Sequence, residues 1–329
     1  MTVKRILIAG VAVLAACGVL GMVPEAAQGS SASVPAWTQQ KTPTSHPSAR
    51  SQAAMAYDAA TGTTVLFGGA TDCCHLFGDT WTWDGSAWTK RAPASHPSAR
   101  YSAAMAYDAA TGTIVLFGGQ TKTGLLADTW TWNGSTWTKR APATHPPARS
   151  GASMAYDAAT GTIVLFGGMG YSGNLADTWT WNGSAWTKRA PASHPPARAQ
   201  AAMAYDAGTG TIVLFGGDGP PGVVGDTWTW AGSTWTRQAP GSSPSARSGA
   251  AAAYDAATST VVLFGGNQER SGGGTWTWDG STWTQHRYRT APSGRSNAAM
   301  AYDAATSTVV LFGGFTTRDR NVRDTWTWG

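Results

Sequence analysis

Asp72-Cys73-Cys74-His75 is the one cluster of metal-ligating and redox-active side chains that does not recur along the chain. Thiolates beside an imidazole suit a soft metal, and neighbouring thiols in an oxidising compartment can instead close a strained vicinal disulfide between Cys73 and Cys74. Two Cys and one His fall short of a full tetrahedral zinc set, so the alternative is a pair of half-buried thiols in a loop tip. Every other candidate recurs. Arginine opens six similar segments, at Arg50, Arg100, Arg149, Arg198, Arg247 and Arg295. Gathered at one mouth of a ring, these guanidinium groups could hold an anion by bidentate, charge-assisted hydrogen bonds. The competing reading is that each ties down its own connection, because a residue needed once per repeat is ordinarily scaffold.

The remaining chemistry is thin. His46, His96, His145 and His194 occupy equivalent places beside Pro, and packed sheets about 10 Å apart would keep them from sharing one metal. Seventeen of the 18 Trp recur at fixed repeat positions and Trp37 fills the missing one, which argues for packing rather than a sugar-stacking platform. Eleven of the 16 Asp fall in repeated Tyr-Asp or Asp-Thr-Trp positions, and Asp84 and Asp279 sit in hairpin turns. Asp72, Asp218, Asp319 and Glu269 are left, each in a different loop and unpaired by sequence for acid–base work. No Ser–His–Asp set, phosphate loop or helical His pair is present. No metal, cofactor or catalytic residue is expected.

The elements that position these residues follow from self-similarity. Leu-Phe-Gly-Gly recurs with Leu at 66, 116, 165, 214, 263 and 311, and Thr-Trp-Thr-Trp with its first Trp at 81, 130, 179, 228, 276 and 326. Each unit reads as four strands: an Ala/Met-rich first, an apolar second ending in Gly-Gly, a Thr-Trp-Thr-Trp third and a fourth opening on Trp. Asn133-Gly134 and its equivalents mark a tight hairpin between the third and fourth. Radial stacking of such units gives an all-β, six-bladed propeller with the first strand innermost. The last unit stops at Trp328-Gly329 without a fourth strand, and Ala36-Trp37-Thr38 matches the missing piece (compare Ala87-Trp88-Thr89). The N-terminal segment is therefore expected to complete the sixth blade.

These motifs resemble the kelch repeat: Arg opening the unit, Gly-Gly closing the second strand, Asp-x-Trp-x-aromatic in the third and Trp in the fourth. The resemblance covers residues 36–329 and implies a propeller, but no single activity. One departure is Gly274, where the other units have Asp79, Asp128, Asp177, Asp226 and Asp324. Some propellers of this kind are copper oxidases resembling galactose oxidase, or sugar epimerases. The former need Tyr, His and a Cys cross-linked to Tyr, whereas Tyr101, Tyr171 and Tyr288 belong to different blades from Cys73 and Cys74.

Residues 1–29 read as an export signal, with Lys4 and Arg5 before an apolar run from Ile6 to Val23, and residues 30–35 as a linker. Leu14-Ala15-Ala16-Cys17 resembles a lipoprotein box with Cys17 as the lipidated residue; cleavage after Ala27-Gln28-Gly29 or an uncleaved anchor are the alternatives. The net charge of +5 is spread along the chain with no Lys/Arg block, which argues against a nucleic-acid partner. The loops between second and third strands differ from unit to unit while the other turns barely change. Lys122, Arg270, Arg318, Arg320 and Arg323 lie in them, against few acids. The expected function is a monomeric extracellular or surface-anchored binding scaffold for an acidic glycan or a protein. An enzyme on the same propeller and a structural piece of a surface assembly are the alternatives.

Overall fold

The computed structural model describes residues 35–41, 44–71, 75–267 and 274–329. Among these are six four-stranded antiparallel sheets. The second blade is representative, with strands Ala104–Asp108, Thr113–Phe117, Thr129–Trp132 and Trp137–Arg140 running from the axis outward. Inner strands neighbour one another in sequence order, and Ala299–Asp303 of the sixth blade lies beside Ala54–Asp58 of the first, so the ring closes.

The packing explains the composition. Near the axis the blades crowd together, and the inner strands carry Ala where they meet. Farther out the gap widens and Trp fills it. The cluster between the first two blades sets Trp130, Trp132, Trp137, Leu116 and Met105 of one against Ala54, Ala56, Val65 and Phe67 of the other. In the outer strands only the Trp is buried, and the residues after it are exposed, as Trp137-Thr138-Lys139-Arg140 shows. A cationic rim of this kind discourages pairing with a foreign strand.

Two circles of hydrogen bonds tie each blade to the one before it. In the outer circle, each fourth-strand indole N–H donates to a Thr hydroxyl of the preceding blade: Trp88 to Thr325, Trp137 to Thr80, Trp186 to Thr129, Trp235 to Thr178, Trp283 to Thr227 and Trp37 to Thr275, all at 2.8–2.9 Å. The inner circle is pure backbone. The amide of Gln52 donates to the carbonyl of Asn297, Ser102 to Gln52, Gly151 to Ser102, Gln200 to Gly151, Gly249 to Gln200 and Asn297 to Gly249, at 2.7–2.9 Å.

The sixth blade closes as its repeats require. Trp37–Gln39 adds antiparallel to Thr325–Trp328, with Trp37 opposite Trp328 and Gln39 opposite Trp326. Trp37 stands where the other blades hold their fourth-strand Trp, buried against Phe264 of the fifth blade and Trp328 of its own.

Candidate ligand-binding face

The six unit-opening arginines are buried, none more than 4% exposed. In five blades the guanidinium forks onto the third-strand Asp: Arg50–Asp79, Arg100–Asp128, Arg149–Asp177, Arg198–Asp226 and Arg295–Asp324, at 2.5–2.6 Å for the shorter contact. The remaining N–H groups donate to the first carbonyl of the blade's Gly-Gly pair and to the carbonyl two residues before the Arg, as Arg149 does to Gly167 and Pro147. Arg247, in the blade that has Gly274, keeps the Gly265 and Ser245 carbonyls and also donates to the Ser245 hydroxyl, as Arg100 and Arg295 do to Ser98 and Ser293. The expected basic ring at the channel mouth is therefore corrected. These charges are buried and engaged within their own blades, where they anchor the connections instead of facing a ligand.

The matching carboxylates titrate accordingly. Burial alone would raise Asp79, Asp128, Asp177, Asp226 and Asp324, but hydrogen bonds and charge from the paired Arg, with the indole N–H two residues on, outweigh it and hold each below the ordinary aspartate value. A folded value below the unfolded one stabilises the fold above the unfolded pKa of about 3.9, and that stability is lost as pH falls through the folded value. Asp58 and Asp303 run the other way, raised first by burial, and so favour the fold at lower pH. Asp84 and Asp279, where backbone and Ser hydrogen bonds outweigh burial, are lowered as well, so with seven lowered aspartates against two raised the melting temperature should fall between about pH 5 and pH 2. A flat profile across that interval would contradict the assigned role of the pairs.

The residue two places after each Arg forms the mouth itself: Gln52, Ser102, Gly151, Gln200, Gly249 and Asn297. All six have φ between +51° and +64°. This left-handed conformation comes easily to Gly and is tolerated by Asn, but strains Gln and Ser. The inner hydrogen-bond circle over-determines it. Gly151 and Gly249 are further constrained, because a Cβ there would meet the side chains of Gln200 and Asn297 at 3.2 and 2.6 Å. The result is an uncharged rim of amides and one hydroxyl above a collar of Ala53, Ala103, Ala152, Ala201, Ala250 and Ala298, enclosing about 170 Å³. Such a rim can hydrogen-bond a neutral polar group. Sequence reading missed it; its signal was the restriction of one repeat position to Gly, Asn, Gln and Ser.

The variable loops stand round this mouth. Each begins by pairing with the residue after the unit-opening Arg, as in Tyr101 with Gln120, Ser150 with Met169 and Ala199 with Asp218. Among the described residues four of them form small hairpins, including Gln120–Thr121 with Gly124–Leu125 and Phe315–Thr316 with Arg320–Asn321, a regularity their unlike sequences concealed. Lys122, Arg318, Arg320 and Arg323 are exposed there. So is Tyr171, at 76%; its hydroxyl accepts the Leu125 N–H of the neighbouring hairpin at 3.1 Å. Cys73, Cys74 and Arg270 lie outside the described residues, as does Cys17. The four repeated His are loop residues whose Nδ1 meets the carbonyl of the next Pro at 2.9–3.0 Å. The opposite face is closed by repeated turns: a Cβ at Gly134 would strike Thr61 of the preceding blade at 2.5 Å.

No protein-family model matches the chain, and no curated protein matches it. Among solved structures it is similar to the one titled "Structure of YjhT", at 16% identity and a TM-score of 0.66, covering 85% of this chain and 95% of that one. At that identity the likeness bears on fold alone, and it agrees with a propeller of four-stranded blades.

Proposed function

We propose that the chain is an exported kelch-type propeller acting as a non-catalytic binding module, with the variable-loop face as its ligand surface and an acidic glycan as its ligand. One observation carries this reading: the six-fold scaffold repeats everywhere except in the loops round the mouth, and those loops hold the exposed Lys122, Arg318, Arg320, Arg323 and Tyr171. Function concentrates on loops held by a rigid frame. Cations displayed together on such a face attract polyanions, and the attraction weakens as salt shortens the Debye length.

A glycan array spanning neutral and acidic sugars tests the reading. Binding should be lost on Tyr171→Ala combined with Arg318→Ala, and kept when the opposite turns are altered by Asn182→Ala. Loss by the turn variant alone would place the ligand on the other face. Residues 1–29 are taken as the export signal, with Cys17 as the lipid attachment point if the box is used. Cys17→Ala should then abolish lipid labelling and release the protein into the medium; unlabelled wild-type protein starting near Ser30 would establish ordinary secretion.

A further inference from the structure

One position in the ring departs from the small residues of the other described blades. The residue before the third-strand Asp is Gly78, Ala127, Ala176 or Gly225 in the first four blades. A Cβ at Gly78 would stand 3.0 Å from the backbone of Ala99, and at Gly225 3.0 Å from that of Ala246, because the connection to the next blade lies directly against it. The sixth blade has Arg323 there, and Arg320 where blades two to four have Gly124, Gly173 and Gly222. Both arginines are exposed. Between them and the connection through His46, Ser48 and Ala49 runs a groove of about 480 Å³.

The charges in this groove are uncompensated. Asp324 is committed to Arg295 and to the Trp326 indole N–H, whereas among the described residues neither Arg320 nor Arg323 forms an ion pair. The hairpin that carries Arg320 is fixed by the Thr316 hydroxyl donating to the Arg320 carbonyl at 3.1 Å. A residue type absent from the equivalent place in the first four blades is not required by the fold, which separates this pair from the buried arginines. Phe315, at the base of the same hairpin, leaves 39% of its surface exposed.

We infer that the groove between the sixth-blade hairpin and the closing connection is an oxyanion site for one carboxylate or sulfate group of an acidic polysaccharide. Guanidinium groups bind such oxygens with charge-assisted hydrogen bonds, and the exposed Phe315 ring on the same hairpin offers an apolar face suited to a sugar. Arg320 and Arg323 are the two arginines lining the groove, and two such cations match a single acidic group, not the closely repeated phosphates of a nucleic acid. The inference rests on the loop face being the ligand surface.

Calorimetry at low salt tests it with an oligogalacturonate for the carboxylate, a heparin-derived oligosaccharide for the sulfate, and a neutral maltooligosaccharide. Arg323→Ala restores the residue found in blades two and three, so the variant Arg320→Ala/Arg323→Ala should keep the wild-type melting temperature. It should weaken binding of an acidic probe at least about tenfold, while Lys139→Ala, on the exposed outer strand of the second blade and away from the loop face, should change it by no more than about twofold. The acidic probe that binds identifies the group. Acidic binding that survives the double variant but fails with Lys122→Ala would overturn the groove and leave the loop face standing. Wild-type protein binding only the neutral sugar would overturn the oxyanion site and the acidic character of the ligand, while the array decides the face separately.

Discussion

Arg149→Ala should destabilise the protein by about 3–5 kcal/mol, the range for removing one partner of a buried ion pair. The Arg149 side chain is wholly buried and that of Asp177 is 15% exposed, so the variant strands a carboxylate that water reaches poorly. It also strips the Gly167 and Pro147 carbonyls of their donor. The backbone at this position is equally engaged: the Arg149 carbonyl accepts the Gly119 N–H of the preceding blade, and its N–H donates to the Leu126 carbonyl in that blade's variable loop. Losing the side chain therefore loosens the contact between blades and the base of that loop together. Arg149→Lys should recover little, since an ammonium cannot make the bidentate contact at 2.6 and 2.8 Å. Asp177→Ala added to Arg149→Ala should cost less than the sum of the two, because the stranded charge is gone. Urea denaturation of the four proteins measures the cycle, and a single-variant loss below about 1 kcal/mol would return Arg149 to the list of ligand contacts.

The same position shows where sequence reading stopped. Spacing alone placed an Arg at every connection, and it placed Asp79, Asp128, Asp177, Asp226 and Asp324 once per blade 28 or 29 residues later. Nothing local says that these meet, because the contact spans two strands and depends on the Gly-Gly turn between them. Gly118 and Gly119 adopt φ of 64° and 96°, and a Cβ on Gly118 would fall 2.7 Å from the Arg149 carbonyl of the next blade. That close approach buries the Arg. Gly274 gave the converse hint: without its carboxylate, Trp276 Nε1–H is buried with no acceptor among the described residues, while the five equivalent indoles donate to Asp at 2.7–2.8 Å. Strand order, blade number and closure were legible because each rests on a period repeated six times. The blade-six groove was not, because it needs the approach of the closing connection to Arg320 and Arg323, which repetition conceals until the exception is seen in three dimensions.

Deleting residues 1–40 should convert a closed ring into an open one, whereas deleting 1–30 should leave the ring closed. Three interactions go at once. The Thr325–Trp328 strand loses its neighbour and presents unpaired backbone groups at an outer edge. Trp328, 1% exposed, loses the Trp37 ring 5.5 Å away. The outer hydrogen-bond circle breaks where Trp37 donates to Thr275. Of these, the buried ring is expected to dominate: Trp37→Ala alone should cost about 3–5 kcal/mol, the range for emptying a packed aromatic site. Trp37→Phe keeps most of the apolar volume and gives up the N–H, leaving Thr275 short of one donor, so it should cost only about 1–2 kcal/mol. The order of melting temperatures should then be wild type and 1–30 deletion together, then Trp37→Phe, then Trp37→Ala, with the 1–40 deletion lowest. The 1–40 deletion should also self-associate in size-exclusion chromatography, because its bare edge can pair with a second copy. If both truncations melt together and stay monomeric, Trp37–Gln39 is an ornament on a ring held shut by the inner backbone circle alone.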